Sequence, residues 1–122
     1  MVWLAVALGG AVGSGLRHGV SVFFGHVLGR PGPYATATVN ILGSLIIGVL
    51  AGLIASGRLH ETPVMRAFVF VGILGGFTTF SSLMLDTFTL ADGHHASAAF
   101  LNVAGQVVFG YAAAYVGFRL AV

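Results

Sequence analysis

The chain has 122 residues, 57% of them hydrophobic and 7% charged, with a formal net charge of +2 and a mean hydropathy of +1.01. Soluble domains carry about 25% charged residues, so this composition excludes a soluble fold and describes an integral membrane protein. The positive residues are five arginines set against Glu61, Asp86 and Asp92, too few for the clustered surface that nucleic acid requires, and the absence of cysteine excludes disulfides and thiolate metal sites.

A helix that crosses a bilayer needs about 20 apolar residues, and four such segments fill the chain as one domain over 1–122. The first runs from about Val2 to Val27, interrupted only by Arg17 and His18. It is longer than a signal-peptide core and has no positively charged stretch before it, so it is read as a retained span. Gly29-Arg30-Pro31-Gly32-Pro33 is a turn that cannot continue a helix. The second segment covers about 34–56. After a polar break, Thr62 and Pro63 have the order of an N-cap and a first helical residue, opening a third segment that runs to about Leu90. Ala91-Asp92-Gly93-His94-His95 connects it to a fourth over about 96–120. Connections this short hold neighbouring helices antiparallel.

Arginine is nearly balanced between the two faces. Arg58, Arg66 and Arg119 lie on the side of the termini, and Arg30, with Arg17 nearest to it, lies opposite. Loop arginines set orientation, so this small difference specifies it weakly and is compatible with insertion both ways as an antiparallel homodimer.

Residues four apart share a helix face. The first segment places Ala5, Gly9, Gly13, Arg17, Ser21 and Gly25 at that spacing, the second Asn40, Ser44, Gly48, Gly52 and Ser56, and the fourth Ala98, Asn102, Gln106, Gly110 and Ala114. Small stripes of this kind pack membrane helices against one another. Asn40, Asn102 and Gln106 demand more, because a buried amide facing lipid costs several kcal/mol; each needs a protein partner or a wet path. Arg17 is a functional position by the same logic, or snorkels to the headgroups. Asp86 has the same two readings near the mouth of its helix, and the adjacent His94 and His95 read as solvated turn residues.

The third segment contains Gly72-Ile73-Leu74-Gly75-Gly76-Phe77-Thr78-Thr79-Phe80-Ser81-Ser82 near its middle. Glycine disfavours helix by about 1 kcal/mol relative to alanine and hydroxyls compete for backbone partners, so a break is expected from Gly75 to Thr79. Backbone groups freed in a membrane survive only where protein, water or an ion supplies partners. Carbonyls there favour a cation. The hydroxyls of Thr79, Ser81 and Ser82 and the positive ring edge of Phe80 suit a small anion. A plain glycine kink lined by core serines is the other reading.

Three motifs, in order along the whole chain, resemble the small fluoride channels of the Fluc or CrcB family: Gly9-Gly10-Ala11-Val12-Gly13-Ser14-Gly15-Leu16-Arg17, Thr38-Val39-Asn40-Ile41-Leu42-Gly43, and Gly75-Gly76-Phe77-Thr78-Thr79-Phe80-Ser81. The resemblance implies an all-α membrane protein of four transmembrane helices with a break in the third, assembled as an antiparallel dual-topology homodimer in a bacterial inner membrane. It implies two fluoride pores, passive export of cytoplasmic fluoride, and a central structural sodium ion held by the carbonyls of Gly75 and Thr78. On the same grounds Asn40 is the pore asparagine, Arg17 the helix-one arginine, Thr79 and Ser81 the hydroxyl pair, Phe80 the first box phenylalanine, and Asn102 and Gln106 the fourth-helix polar track. Two positions depart from the pattern: Leu83 replaces the second box phenylalanine, and Gly110 and Ala114 stand where the track has hydroxyls.

The alternative from another class is a small four-helix, dual-topology, proton-coupled multidrug exporter. Such proteins resemble a design with a glutamate inside helix one, where this chain has only Arg17. A third reading, a non-transporting subunit that packs with a partner, leaves the Thr78 to Ser82 run without a role. An enzyme is not indicated: the sequence offers no close carboxylate pair, no intramembrane histidine cluster and no nucleophile with an evident base.

Overall fold

A computed structural model describes residues 1–29 and 32–122; Arg30, counted above in the charge balance, lies outside the described residues. Among them there are helices and no strands. Helix α1 is Val2–Leu28, α2 is Gly32–Ala55, α3 covers 63–77, α4 is Phe80–Asp92 and α5 is Ala96–Ala121. Among the described residues three spans, Gly32–Ala55, Pro63–Asp92 and Ala96–Ala121, are long and apolar enough to cross a membrane. Helix α1 matches them in length with 27 residues and carries Arg17 and His18.

Local chemistry sets the boundaries. Gly29 ends α1 in the left-handed conformation, φ 73°, which glycine adopts without steric cost. Thr62 caps α3, its hydroxyl accepting from the Met65 amide at 3.1 Å, with Pro63 next. That proline forfeits no bond, because the first amides of a helix have no partner within it.

The interior is rich in small residues and the exterior in large ones. Ala5, Ala35, Ala67, Ala99 and Ala121 are buried while Trp3, Phe88, Phe100 and Tyr111 are exposed, the inverse of a soluble protein and the arrangement that lipid favours. Two helix pairs form on glycine. Helix α1 lies on α3 so closely that a Cβ on Gly72 would stand 2.8 Å from Gly9 Cα, and one on Gly13 would run into the Ile73 carbonyl. Helix α2 lies on α5 in the same way, with Gly48 against the Ala114 carbonyl and Gly117 against that of Leu45. The small stripes of the first, second and fourth segments are therefore packing surfaces over most of their length. Gly110 and Ala114 belong to this contact: the first faces Ser44 and the second abuts Gly48.

The third span departs from a plain α-helix in two ways. Residues Arg66–Leu74 are π-helical, and the Gly75 amide reaches both Gly72 O and Phe70 O. After Gly75–Phe77 the backbone leaves helical angles at Thr78 (φ −79°, ψ 161°) and Thr79 (φ −155°, ψ 121°) before α4 begins. The paired glycines, expected to start the break, stay helical. Their role is contact: a Cβ on Gly76 would sit 2.8 Å from Gly10 O. The extended residues are the two threonines that follow.

Candidate functional site

In a continuous helix the Thr79 amide would donate to Gly75 O and the Ser82 amide to Thr78 O. Here the Thr79 amide donates to Asn40 Oδ1 at 2.8 Å, and the Ser82 amide to the hydroxyl of Thr79, the N-cap of α4, at 3.2 Å. The carbonyls of Gly75 and Thr78 are thereby released from their helical partners. Thr78 O accepts from Arg17 Nη1 at 3.2 Å, and Thr79 O accepts from Asn40 Nδ2 at 3.0 Å. The carbonyl end of α3, with its partial negative charge, thus meets a guanidinium, while the amide end of α4 is capped by the Thr79 hydroxyl.

Asn40 acts here as a substitute peptide group. Its side-chain amide takes both the N–H and the C=O of Thr79, and its second hydrogen goes to Gln106 Oε1 at 2.7 Å. An asparagine amide has two hydrogens; both are used. Gln106 Nε2 donates to Asn102 Oδ1 at 2.9 Å, Asn102 Nδ2 to the Thr87 hydroxyl at 2.9 Å, and that hydroxyl to Leu83 O at 2.7 Å. The amides that sequence left in need of a partner or a wet path are partnered with one another, and among the described residues no buried side-chain nitrogen or oxygen lacks a partner.

Two clefts flank this chain of bonds. One, of about 400 Å³, is lined by Asn40, Gly75, Thr78, Thr79, Phe80 and Leu83, with others. Phe80 is 74% exposed at its rim and Leu83 only 5% exposed in its wall. The other, of about 550 Å³, is lined by Asp86, Thr89, Asn102 and Gln106 among mostly apolar residues of α2, α4 and α5. The Asn40–Gln106 bond joins the two linings. Ser81 stands beside the first, 3.4 Å from the Thr79 hydroxyl, whereas Arg17 approaches from α1 behind Thr78. His94 and His95 are exposed at the turn before α5.

Two residues of this region, Thr36 and Thr87, escaped sequence reasoning. Asp86 accepts from the Thr36 hydroxyl at 2.6 Å, and Thr36 lies one turn before Asn40 on the α2 stripe, where extending the four-residue spacing would have found it. Thr87 lies one turn after Leu83. Nothing in the sequence pairs it with Asn102, which only the α4–α5 packing brings near.

Length, lipid-like exterior and an internal polar track, set beside an interrupted helix, define a multi-pass membrane protein of the channel and transporter class. The chain belongs to the CrcB family: the family model described as CrcB-like protein, Camphor Resistance (CrcB) matches residues 4–118. It is 43% identical over 118 residues to a fluoride-specific ion channel FluC of Thermus thermophilus, covering 97% of this chain and 91% of that one. It is 44% identical over 117 residues to a protein of the same name in Rhodospirillum centenum, covering 96% and 92%. A third, from Aeromonas salmonicida, is 51% identical over 89 residues, covering 73% and 70%. These relatives are bacterial ion channels and not enzymes.

Proposed function

We propose that this protein is a fluoride-selective passive channel that exports cytoplasmic fluoride, working as an antiparallel dual-topology homodimer with two pores and a central structural sodium ion. The observation that carries the reading is the joint between α3 and α4, where released carbonyls, hydroxyls and a track of amides converge in a span that otherwise offers an ion nothing.

Fluoride is small and tightly hydrated, so a pore that accepts it must replace water with closely placed donors. Gln106 Nε2 and Asn102 Nδ2 each give one hydrogen to a neighbour and have a second to give; both residues line the larger cleft. Ser81 and the edge of Phe80 add donors beside the smaller one. Asn40, with both hydrogens engaged, contributes by fixing the Thr79 peptide and Gln106 in place. Leu83, without a polarised ring edge, contributes shape and exclusion of water.

The chemistry of the joint fits sodium, a cation that prefers oxygen. Gly75 O is released and belongs to a residue that lines the cleft, as Thr78 does; Thr78 O keeps one of its two lone pairs after Arg17 takes the other. Two carbonyls do not fill a coordination shell, and a second copy of the chain facing the same cleft would double them. The ion would cross-link the two interrupted helices. Arg17, on the carbonyl end of α3, would hold the joint and make the region favourable to anions and unfavourable to mobile cations.

The test is purified protein in liposomes loaded with fluoride, read by a fluoride electrode beside a chloride control. Downhill fluoride release without chloride release is the expected result. Flux that requires a proton gradient would favour the exporter, and an impermeable vesicle would leave a packing subunit.

A further inference from the structure

The amide track has a direction, and its two ends set that direction. At one end the Thr79 N–H can only donate, which turns Oδ1 of Asn40 toward it and Nδ2 toward Gln106. Each amide then passes the polarity on, through Gln106 to Asn102. At the other end Leu83 O can only accept. Between them the Thr87 hydroxyl donates to Leu83 O and, its hydrogen being spent, presents lone pairs to Asn102 Nδ2. Without that acceptor Asn102 would keep a single tether, the bond it accepts from Gln106.

We propose that Thr87 is a positioning residue of the permeation path: it acts through Asn102, holding that amide so that its remaining hydrogen and that of Gln106 serve a permeating anion. Thr87 stands outside the lining of both clefts, and its reach into the larger one is through Asn102. The proposal rests on the reading of Asn102 and Gln106 as donors to fluoride.

Thr87→Val keeps the branched shape and removes the hydroxyl. In the liposome assay fluoride release should slow about fivefold, the scale set by one neutral hydrogen bond, while Thr87→Ser, which keeps the hydroxyl, should stay within about twofold of the parent. Asn102→Leu should also slow release, and adding Thr87→Val to it should change nothing further, because residues that act through one contact are not additive. Should the valine variant fail to fold, Thr87→Ala replaces it in the same series. Parental flux from Thr87→Val, equal slowing by Thr87→Ser, a silent Asn102→Leu, or additive slowing in the double variant would each overturn the assignment. A parent that releases no fluoride defeats the functional reading itself, whereas a conducting parent matched by Thr87→Val defeats only the role of Thr87.

Discussion

Asn40 is the residue that ties three elements together, since its amide joins α2 to the Thr79 peptide and to α5. Asn40→Asp is the sharpest probe of it. The aspartate would still accept from the Thr79 amide but would turn acceptor oxygens toward Thr79 O and Gln106 Oε1, at about 1–3 kcal/mol for each unmet buried group. It would also fix a negative charge in the proposed anion path, so fluoride release should stop; parental flux from this variant would remove Asn40 from that path. Arg17 calls for a different outcome. Arg17→Ala deletes the donor to Thr78 O and a positive charge, yet leaves the amide track untouched. Release should therefore slow while the preference for fluoride over chloride survives, and loss of that preference in paired electrode recordings would place Arg17 within the selective region.

At the scale of the helices, glycine contacts decide how close the elements come, and they give a paired test. A side chain on Gly13 would collide with the Ile73 carbonyl and stand 2.9 Å from the Phe77 amide, whereas one on Gly10 meets nothing within 4 Å. Gly13→Val should force α1 away from α3 and lower the melting midpoint in detergent, at a cost of about 1–3 kcal/mol typical of overpacking. Gly10→Ala, one turn away, should leave the midpoint where it is. The four-residue stripes announced these contacts because helical spacing alone puts Gly9 and Gly13 on one face. They did not announce the π-helical stretch Arg66–Leu74, whose residues look like any apolar helix and whose widened turn arises where α1 and α3 come into backbone contact. The glycine pair was legible as an irregularity and misleading as to place, because propensity treats Gly75 and Gly76 as helix breakers while packing uses Gly76 to admit α1. Thr78 and Thr79 became the extended residues because Asn40 and the Thr79 hydroxyl supply, from outside the helix, the bonds that the backbone gives up.

For the whole molecule the sequence sets an expectation of which way the chain faces and supplies the means to test it. Cysteine is absent, so a single cysteine at exposed His60, in the loop before α3, or at exposed His94, in the turn before α5, reports one face each. With so few loop arginines to specify orientation, both variants should be labelled by an impermeant reagent from both sides of the membrane. Labelling of each position from one side only would end the dual-topology proposal. The same logic predicts what fixing the orientation does. His94→Lys with His95→Lys adds two positive charges to one connection and should hold that turn on the cytoplasmic side; His60→Lys with Thr62→Lys should hold the opposite face there. If two opposed copies complete each pore, either fixed form expressed alone should be inactive and the two together should restore fluoride release. Activity from one fixed form by itself would mean that a single orientation suffices, and the cleft beside Phe80 would then need no inverted partner.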